Sequence, residues 1–430
     1  MKTDQIQKVH KDWYKLDLSA IVYPTLQRRD FSSVYRLSVL LKEDIDPEIL
    51  QRAVNLTMPR FPTYKAAIRK GVFWRYLEPN DRPGPFVQED VKNPCQPMHF
   101  KGNNRYLVRI YYYRNRIALE AHHSLGDGTG GMCVLQTLTA TYLRLKGHSE
   151  IENGGFVLDI LGIPDPGELE DAYMKYANAK VCPPRPGEKT YRVRGTKEPF
   201  YTLNIIDGIM SVSEVMQVAK SYNATITEYL NSVLLYALMQ KQESEWHLKL
   251  RPVKIAMPVN LRRFFPSRTL RNFITMIYPG IDPRLGEYTF EEIVTQVHNY
   301  MRYYLNEKLL RGDITTNAET QRNPFIRIVP LFIKDLVVRQ FYSKIQDKNS
   351  SAGLTNMGAL KVPETMKPYI ERFDIYMGQP FSTRTNCAIA SFEDILTINF
   401  ASSIAETDVE RLFFRKLVQD GIHVKIESNR

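Results

Sequence analysis

Short stretches in which apolar and polar residues alternate recur along the whole chain and predict β-strands. The clearest covers residues 33–41, where β-branched and aromatic side chains stand between polar ones. Further strands are predicted at residues 64–69, 72–77, 106–113, 116–122, 253–259, 373–377, 387–392 and 395–400. Because only two residues separate the strand at 106–113 from the strand at 116–122, we expect a hairpin whose second strand ends at His122.

Between the strands, apolar residues recur at helical spacing and predict helices. One begins with Asp46, Pro47 and Glu48, which supply an N-cap, a proline in the first turn and an acidic charge there, and it runs toward Met58. The other predicted helices cover residues 133–145, 213–220, 225–240, 290–309, 330–343 and 408–419. Both halves of the chain mix strands with helices, so we expect an α/β protein, more closely an α+β arrangement with mixed sheets.

The length of the chain predicts more than one subdomain. Its 430 residues exceed what a single hydrophobic core usually organises. Between the two halves, proline, glycine, lysine and glutamate are concentrated, most densely in the segment PPRPGEK at residues 183–189. We therefore predict a first subdomain over residues 1–165, a linker over residues 166–200 and a second subdomain over residues 201–430.

The composition is that of an ordinary globular protein, with 43% apolar and 24% charged residues. The cysteines are widely spaced and form no CxxC pair, so neither a zinc site nor a disulfide framework is predicted; they are Cys95, Cys133, Cys182 and Cys387. The first eight residues contain no apolar stretch, and no later segment approaches the ~18 uncharged apolar residues of a membrane span. We expect no secretory signal, no membrane anchor and a cytoplasmic location.

The charge is strongly positive, because 58 lysines and arginines stand against 47 acidic residues and give a formal net charge of +11. Such a charge suits an anionic partner, whether nucleic acid, a membrane surface, a phosphate-bearing small molecule or an acidic protein. The cations are spread along the chain without a long basic run or an arginine-rich arm. A phosphate-bearing small substrate is therefore favoured over nucleic acid.

The segment HHSLGDG at residues 122–128 carries the candidate chemistry. A histidine at the open end of a strand can accept a proton near neutral pH, as the activation of a hydroxyl or amine requires, and His123 is the candidate. Asp127 follows across a tight glycine turn, where it would act as an acid, bind a metal or hold the loop by pairing with a cation from elsewhere. Gly128 and Gly130, in a glycine-rich loop before the next helix, allow close backbone approach.

A metal site at His122, His123 and Asp127 is disfavoured. Neighbouring residues of a strand point to opposite faces, so both histidines would not easily bind one ion. No metal is therefore predicted.

The segment HHSLGDG resembles the active-site motif of the coenzyme A-dependent acyltransferase superfamily. That superfamily includes chloramphenicol acetyltransferase, the plant BAHD acyltransferases, the condensation domains of nonribosomal peptide synthetases and the alcohol O-acetyltransferase-like proteins. The segments MPVNLRR at 257–263, RNF at 271–273 and LTNMG at 354–358 resemble the PVNLR, NF and SNLG segments of the alcohol acetyltransferase-like branch, in the same order. The resemblance covers nearly the whole chain.

The resemblance implies two chloramphenicol acetyltransferase-like subdomains with an active-site tunnel between them. His123 would be the general base, which takes the proton of an acceptor alcohol or amine as the acceptor attacks an acyl thioester. Asp127 would face away from the substrate and pair with Arg262, while Gly128 would leave space near the thioester. His122 would be structural or would shape the entrance.

Further expectations concern the cosubstrate. Acyl-CoA would enter as the acyl donor, with no permanently bound cofactor, and Thr355 and Asn356 would help to stabilise the oxyanion intermediate. The coenzyme A phosphates would meet basic residues near the tunnel mouth, for which the candidates are Lys254, Arg263 and Arg268.

Some family features are absent, and they narrow the choice of branch. The DFGWG segment of the plant BAHD branch is missing, threonine replaces serine in the SNLG-like segment, and the modules that surround a peptide synthetase condensation domain are missing. The sequence thus favours a free-standing acyltransferase.

Three alternatives stay open: a condensation-type enzyme that uses a thioester bound to an acidic acyl carrier protein, an inactive binding protein on the same scaffold, and a membrane-surface role for the basic amphipathic helix at residues 330–343.

Overall fold

The computed structural model describes residues 13–27, 31–180, 188–245, 247, 249–378 and 383–430; for residues 320 and 341–348 it describes the backbone. The strands in this part of the chain are β1 (Tyr14–Lys15), β2 (Val34–Leu41), β3 (Ala66–Lys70), β4 (Arg75–Pro79), β5 (Val87–Glu89), β6 (Val108–Tyr113), β7 (Arg116–His122), β8 (Asn204–Ser211), β9 (Val253–Asn260), β10 (Ile274–Ile277), β11 (Gly280–Ile281), β12 (Ala352–Ala359), β13 (Ile370–Met377), β14 (Thr385–Phe392), β15 (Ile395–Ser402) and β16 (Lys425–Ser428). The α-helices are α1 (Tyr23–Leu26), α2 (Pro47–Thr57), α3 (Gly128–Leu145), α4 (Ala172–Tyr176), α5 (Val212–Ser221), α6 (Ile226–Ser244), α7 (Phe290–Tyr304), α8 (Glu307–Arg322), α9 (Pro324–Ile328), α10 (Leu331–Asn349) and α11 (Asp408–Gln419).

The first large sheet has five strands in the order β13-β2-β7-β6-β5. Strands β6 and β7 form the predicted hairpin, and β2 lies antiparallel to β7 with Val34 opposite His122. Helix α3 packs on β2 and β7, and α2 packs on α3. The apolar faces of these elements form one buried core, so the end of β7 is held by the sheet on one side and by α3 on the other.

The second large sheet runs in the order β10-β9-β12-β14-β15-β8-β16, and β11 pairs with β9. Strand β12 is parallel to β9 and to β14, whereas β14, β15 and β8 are mutually antiparallel neighbours, so this sheet is mixed as predicted. Helix α6 packs on β9 and between α7 and α11, and its buried leucines and valines form the centre of a second core. Strands β1, β4 and β3 form a small third sheet.

Strand β13 joins the two halves of the molecule. It lies in the second half of the sequence, yet it pairs antiparallel with β2 from Tyr35 opposite Met377 to Leu41 opposite Ile370. Its side chains Phe373 and Ile375 are buried in the first core. The division into subdomains at residues 166–200 stays a prediction. Under that division, the first sheet contains one strand, β13, from the predicted second subdomain at residues 201–430.

Most predicted elements are present with shifted ends. The helix after Asp46 is capped as expected, because the Asp46 carboxylate accepts hydrogen bonds from the backbone N–H groups of Glu48 and Ile49. The final predicted helix matches α11 from end to end. Strands β8, β10, β12 and β16 were not predicted: β10 and β16 have four residues each, and the residues of β8 and β12 do not alternate clearly between apolar and polar.

Two predictions of local structure are wrong. Residues 290–309 form two helices, because the Asn306 side chain accepts a hydrogen bond from Leu309 N and starts α8. The glycine-rich segment at residues 126–131 is mostly helical, because α3 begins at Gly128 and not near Cys133.

The predicted linker falls partly on described residues. Before residue 181 it contains α4, which packs on α8. Residues 181–187, which hold Cys182 and most of PPRPGEK, lie outside the described residues. The other three cysteines are free and buried.

Candidate active site

The motif at residues 122–128 connects the end of β7 to the start of α3. Asp127 is the N-cap of α3, and its carboxylate Oδ1 accepts hydrogen bonds from the backbone N–H groups of Thr129 and Gly130 at 3.1 and 3.2 Å. Such a cap satisfies N–H groups that the first helical turn leaves without partners, and a negative charge there is favoured by the helix dipole. The local sequence thus fixes where the helix starts.

The predicted pairing of Asp127 with Arg262 is present. Arg262 Nη1 donates to Asp127 Oδ2 at 2.8 Å, and the same oxygen accepts a hydrogen bond from the backbone N–H of Phe273 at 2.9 Å. Both charged side chains are largely buried. Four residues thus donate hydrogen bonds to the carboxylate of Asp127. This side chain is engaged in holding the segment and is not placed to exchange a proton with a substrate.

The segment RNF at residues 271–273 holds the other end of the motif. The Asn272 side chain donates from Nδ2 to the backbone carbonyl of His123 at 2.8 Å and also to the carboxylate of Asp17, which is fully buried. Since Phe273 bonds to Asp127, neighbouring residues of one segment fix both the carbonyl of His123 and the cap of α3.

His123 is half-buried and lies on the wall of a large cavity. Its ring stacks on Tyr23 with the ring centres 4.8 Å apart, and the tilted ring of Tyr35 lies 4.6 Å away on β2. Its Nδ1 atom is buried and has no hydrogen-bond partner among the described residues. The ring nitrogen left to meet a substrate in the cavity is therefore Nε2.

Burial lowers the pKa of His123 to about 4, and the negative charge of Asp127 offsets part of this effect. At neutral pH the imidazole is therefore uncharged and has a lone pair with which to accept a proton.

His122 occupies a different environment from His123. It is fully buried, packs edge-on against Phe100, and accepts a hydrogen bond at Nδ1 from the backbone N–H of Ser124. Burial, together with the neighbouring His123, lowers the pKa of His122 to about 3. It does not line the cavity, so of its two expected roles the geometry fits the structural one.

Two glycines of the segment at residues 126–131 are required by close backbone approach. A Cβ atom on Gly130 would lie 1.9 Å from the carbonyl oxygen of Leu270, and one on Gly126 would lie 2.4 Å from the same oxygen. A Cβ atom on Gly128 would instead meet the flexible sulfur of Met357 at 3.0 Å. Gly128 thus faces the cavity beside Met357, while Gly126 and Gly130 bring α3 against the segment that follows Arg262.

The cavity is about 2990 Å³ in volume and is lined by both halves of the chain. Of the predicted site residues, those on its wall are His123, Asp127, Gly128, Thr355 and Asn356, whereas His122 and Arg262 lie behind the wall. Thr355 lies on β12 between the parallel strands β9 and β14. Asn356 is already engaged, because it donates to Thr227 Oγ1 at 2.9 Å and accepts from Gly358 N at 2.7 Å. Thr355 is therefore the better placed of the two to donate a hydrogen bond into the cavity.

The basic residues expected at the tunnel mouth divide into two groups. Lys254 and Arg263 line the cavity. Arg268 does not, and its exposed guanidinium pairs with Asp165 at 3.1 Å. The expectation for Arg268 is therefore wrong, because this side chain points to solvent outside the cavity.

The sequence did not indicate the rings around His123. Tyr23 is half-buried on α1 and Tyr35 is buried on β2, and neither belongs to a motif. Asn272 was noted as part of the RNF segment, but its hydrogen bond to His123 joins residues that are 149 positions apart. Within the described part of the chain, no group of three or more side chains could hold a metal ion.

Comparison with solved structures identifies the fold. TRI101 of F. sporotrichioides, complexed with coenzyme A and T-2, superposes with a TM-score of 0.64 at 11% identity. The superposition covers 97% of this chain and 100% of the TRI101 chain. The starter condensation domain of rhizomide synthetase RzmA, a mutant in complex with C8-CoA and Leu-SNAC, gives a TM-score of 0.58 at 11% identity, with coverage of 97% and 94%. Polyketide synthase associated protein 5 of Mycobacterium tuberculosis gives 0.58 at 13% identity, with coverage of 94% and 97%.

Neither a scan against protein-family models nor a search of curated proteins gave a match. The structural similarity extends over whole chains at low identity and therefore concerns the fold. The expected fold, two chloramphenicol acetyltransferase-like subdomains built on mixed sheets, is confirmed, as is the resemblance to the fold that condensation domains share with coenzyme A-dependent acetyltransferases.

Proposed function

We propose that the protein is an acyltransferase that moves an acyl group from an acyl-CoA thioester to an alcohol or amine, with His123 as the general base. The observation that carries this proposal is the position of His123, an uncharged imidazole on the wall of a cavity that both halves of the chain line. The cavity is several times larger than the roughly 300–1,000 Å³ of most small-molecule sites, so it has room for a donor and an acceptor together.

In the proposed reaction, Nε2 of His123 takes the proton of the acceptor O–H or N–H while the acceptor atom bonds to the thioester carbonyl carbon. The carbonyl oxygen becomes an oxyanion, for which Thr355 of β12, on the cavity wall, is the candidate hydrogen-bond donor. Collapse of the intermediate breaks the C–S bond, and the proton on His123 passes to the leaving thiolate. The base returns to its uncharged form, and no acyl-enzyme is formed.

Asp127 and Arg262 support this chemistry as positioning residues. Their ion pair fixes the start of α3, and Asn272 fixes the carbonyl of His123. The stacked ring of Tyr23 limits rotation of the imidazole. Preorganisation of this kind places the base without further ordering when the substrates bind.

Lys254 and Arg263 are the proposed contacts for the phosphates of coenzyme A. Both line the cavity, and no ion pair of either side chain is found among the described residues. An Arg263→Ala variant would raise the KM for acyl-CoA more than it lowers kcat, because it removes binding that the ground state and the transition state share.

The test is thiol release from a panel of acyl-CoA donors mixed with alcohols and amines. His123→Ala is expected to lower acceptor-dependent release by roughly 10²- to 10⁴-fold, the usual contribution of a general base. His423→Ala is the matched control, because His423 is exposed and pairs only with Glu214 at the surface. Unchanged release in a folded His123→Ala protein would contradict the role of His123.

Two other outcomes separate the alternatives. Release only from thioesters bound to an acyl carrier protein would identify a condensation-type enzyme, which the condensation-domain neighbours favour as the second candidate. No release from any donor, with tight binding of acyl-CoA, would identify an inactive binding protein on this scaffold.

A further inference from the structure

Large apolar side chains stand exposed on α9, on α10 and at the turn between β3 and β4. Between 61% and 76% of the surface of each is accessible, and they are Val72, Phe325, Ile328, Phe332 and Leu336. Trp74 is also exposed at the same turn. We call these six residues the α9–α10 surface. Single exposed apolar residues are common, whereas a contiguous group of this size marks an interaction site.

The turn and the helix form one surface because they are bonded to each other. The backbone N–H of Leu331 donates to the carbonyl of Val72 at 2.8 Å, and Nζ of Lys334 donates to the carbonyl of Phe73 at 2.9 Å. The first turn of α10 is thereby fixed beside the tip of the β3–β4 hairpin.

Helix α10 presents different faces to the cavity and to the outside. Most residues in the first two turns of α10 line the cavity: Leu331, Ile333, Lys334, Asp335, Val337 and Val338. Phe332 and Leu336, one turn apart on the remaining face, do not line it and are exposed. The cavity wall and the exposed apolar surface are therefore two sides of one helix.

The charges around this surface are mainly positive. Between residues 322 and 340 the chain carries four cations, Arg322, Arg327, Lys334 and Arg339, and one acid. That acid, Asp335, is turned inward, where it accepts hydrogen bonds from Arg75 and from Thr25. Arg322, Arg327 and Arg339 are exposed and suit a negatively charged partner. Lys334 is half-buried on the cavity wall and adds little to the outward charge.

We propose that the α9–α10 surface docks on a bilayer that contains anionic phospholipid. Exposed aromatic and aliphatic side chains with flanking lysine and arginine are the features that bind a membrane interface. A second copy of the chain fits less well, because a symmetric contact through this surface would bring its cations together. The docking does not depend on the proposed function.

Flotation of the full chain with phospholipid vesicles tests the docking. Binding is expected to vesicles of phosphatidylcholine and phosphatidylglycerol in equal parts, weaker binding to phosphatidylcholine alone, and loss of the difference at high salt. The variant Phe332→Ser with Leu336→Ser is expected to lower the partition coefficient by about a hundredfold, since each truncation removes roughly a tenfold contribution of buried apolar area. The matched control, Leu161→Ser with Leu285→Ser, changes two leucines that are still more exposed and lie off the cavity and off this surface.

A second measurement covers the case in which the double variant fails to fold. Trp74 fluorescence of the wild type is expected to shift to shorter wavelength on addition of the anionic vesicles, and the shift should vanish in Trp74→Phe.

Failure of the wild type to float with anionic vesicles, or equal loss of binding in the Leu161 and Leu285 control, would overturn the proposal. A change in the protein's own oligomeric state without vesicle binding would assign the surface to a second copy instead. Vesicle binding by His123→Ala should equal that of the wild type, so a failure of the proposed chemistry would not be mistaken for a failure of docking.

Discussion

At the scale of single residues, the environment of His123 sets the pH range of the proposed activity. Burial lowers its pKa to about 4, so the imidazole stays uncharged until the pH falls well below neutrality. We expect kcat/KM for acyl-CoA to be level from pH 8 down to about 5 and to fall below that. An enzyme whose base is a histidine of ordinary pKa would instead lose half of its kcat/KM near pH ~6.5. A pH profile, with folding checked at each point by intrinsic fluorescence, measures this, and a midpoint near 6.5 would contradict it.

The ion pair of Asp127 gives a second prediction at this scale. Asp127→Ala removes a helix cap and leaves the buried guanidinium of Arg262 without its carboxylate, so we expect the free energy of unfolding to fall by about 3 to 5 kcal/mol. Asp46→Ala removes a half-buried cap of the same kind on α2 without an arginine, and should cost only about 1 kcal/mol. Urea unfolding of both variants makes the comparison, and equal losses would show that the ion pair adds nothing beyond the cap.

Much of this local chemistry could be predicted from the sequence, although its surroundings could not. The motif indicated His123 as the candidate base, and the resemblance to the acyltransferase superfamily implied the pairing of Asp127 with Arg262, which is present. The rings of Tyr23 and Tyr35 could not be predicted, because stacking depends on how α1 and β2 pack and leaves no spacing pattern in the chain.

At the scale of elements, the start of α3 depends on contact between two backbones. Gly130→Ala would place a methyl group 1.9 Å from the Leu270 carbonyl oxygen, which α3 can avoid only by moving, and we expect a loss of about 3 kcal/mol in the free energy of unfolding together with a loss of activity.

Gly128→Ala is the matched change two residues earlier in the same helix. It meets only the flexible Met357 side chain, so stability should stay within about 1 kcal/mol of the wild type while the shape of the cavity changes. Thermal unfolding of the two variants checks this. A Gly128 variant less stable than the Gly130 variant would contradict the assigned contacts.

Prediction of the elements succeeded where one face of a strand or helix meets solvent. Helix α11 has such a face, and its bounds followed from the apolar period. The β6–β7 hairpin was instead predicted from the two residues that separate its strands, since β7 is almost entirely buried. Strand β8 is buried on much of both faces, and the break between α7 and α8 depends on one capping asparagine, so neither gave a clear period.

At the scale of the whole molecule, the two large sheets meet at a buried carboxylate. Asp207 on β8 accepts hydrogen bonds from Tyr376 of β13 at 2.9 Å and from Asn399 of β15 at 2.8 Å. Burial, with a further contribution from Asp374, raises the pKa of Asp207 above its ordinary value. The folded protein therefore holds this proton more tightly than the unfolded chain.

This linkage predicts how stability changes with pH. Because the pKa of Asp207 is raised on folding, its favourable contribution is complete at low pH and is lost as the pH rises above the ordinary aspartate pKa of about 3.9, by up to ~1.4 kcal/mol per pH unit. Asp207→Asn, which cannot ionise, should flatten this decline between about pH 4 and the raised pKa of Asp207, which is about 7. Urea midpoints at several pH values test it, and an unchanged slope would contradict the assignment.

The mixed α/β architecture could be predicted at this scale, since both halves of the sequence show strands and helices. The place of β13 could not, because nothing in residues 370–377 indicates which sheet they join. The cavity and the α9–α10 surface likewise result from packing between distant segments.

The crossing of β13 has a consequence for synthesis on the ribosome. The first sheet cannot close until residue 377 has left the exit tunnel, 255 residues after the end of β7 at His122. At roughly 5–20 residues per second, translation of that interval takes on the order of 10 to 50 s. Throughout that time the edge of β2 that β13 later covers has no partner, and an open strand edge of this kind invites pairing with other nascent chains. We expect that the yield of folded protein in cells depends on chaperones that protect this edge during elongation.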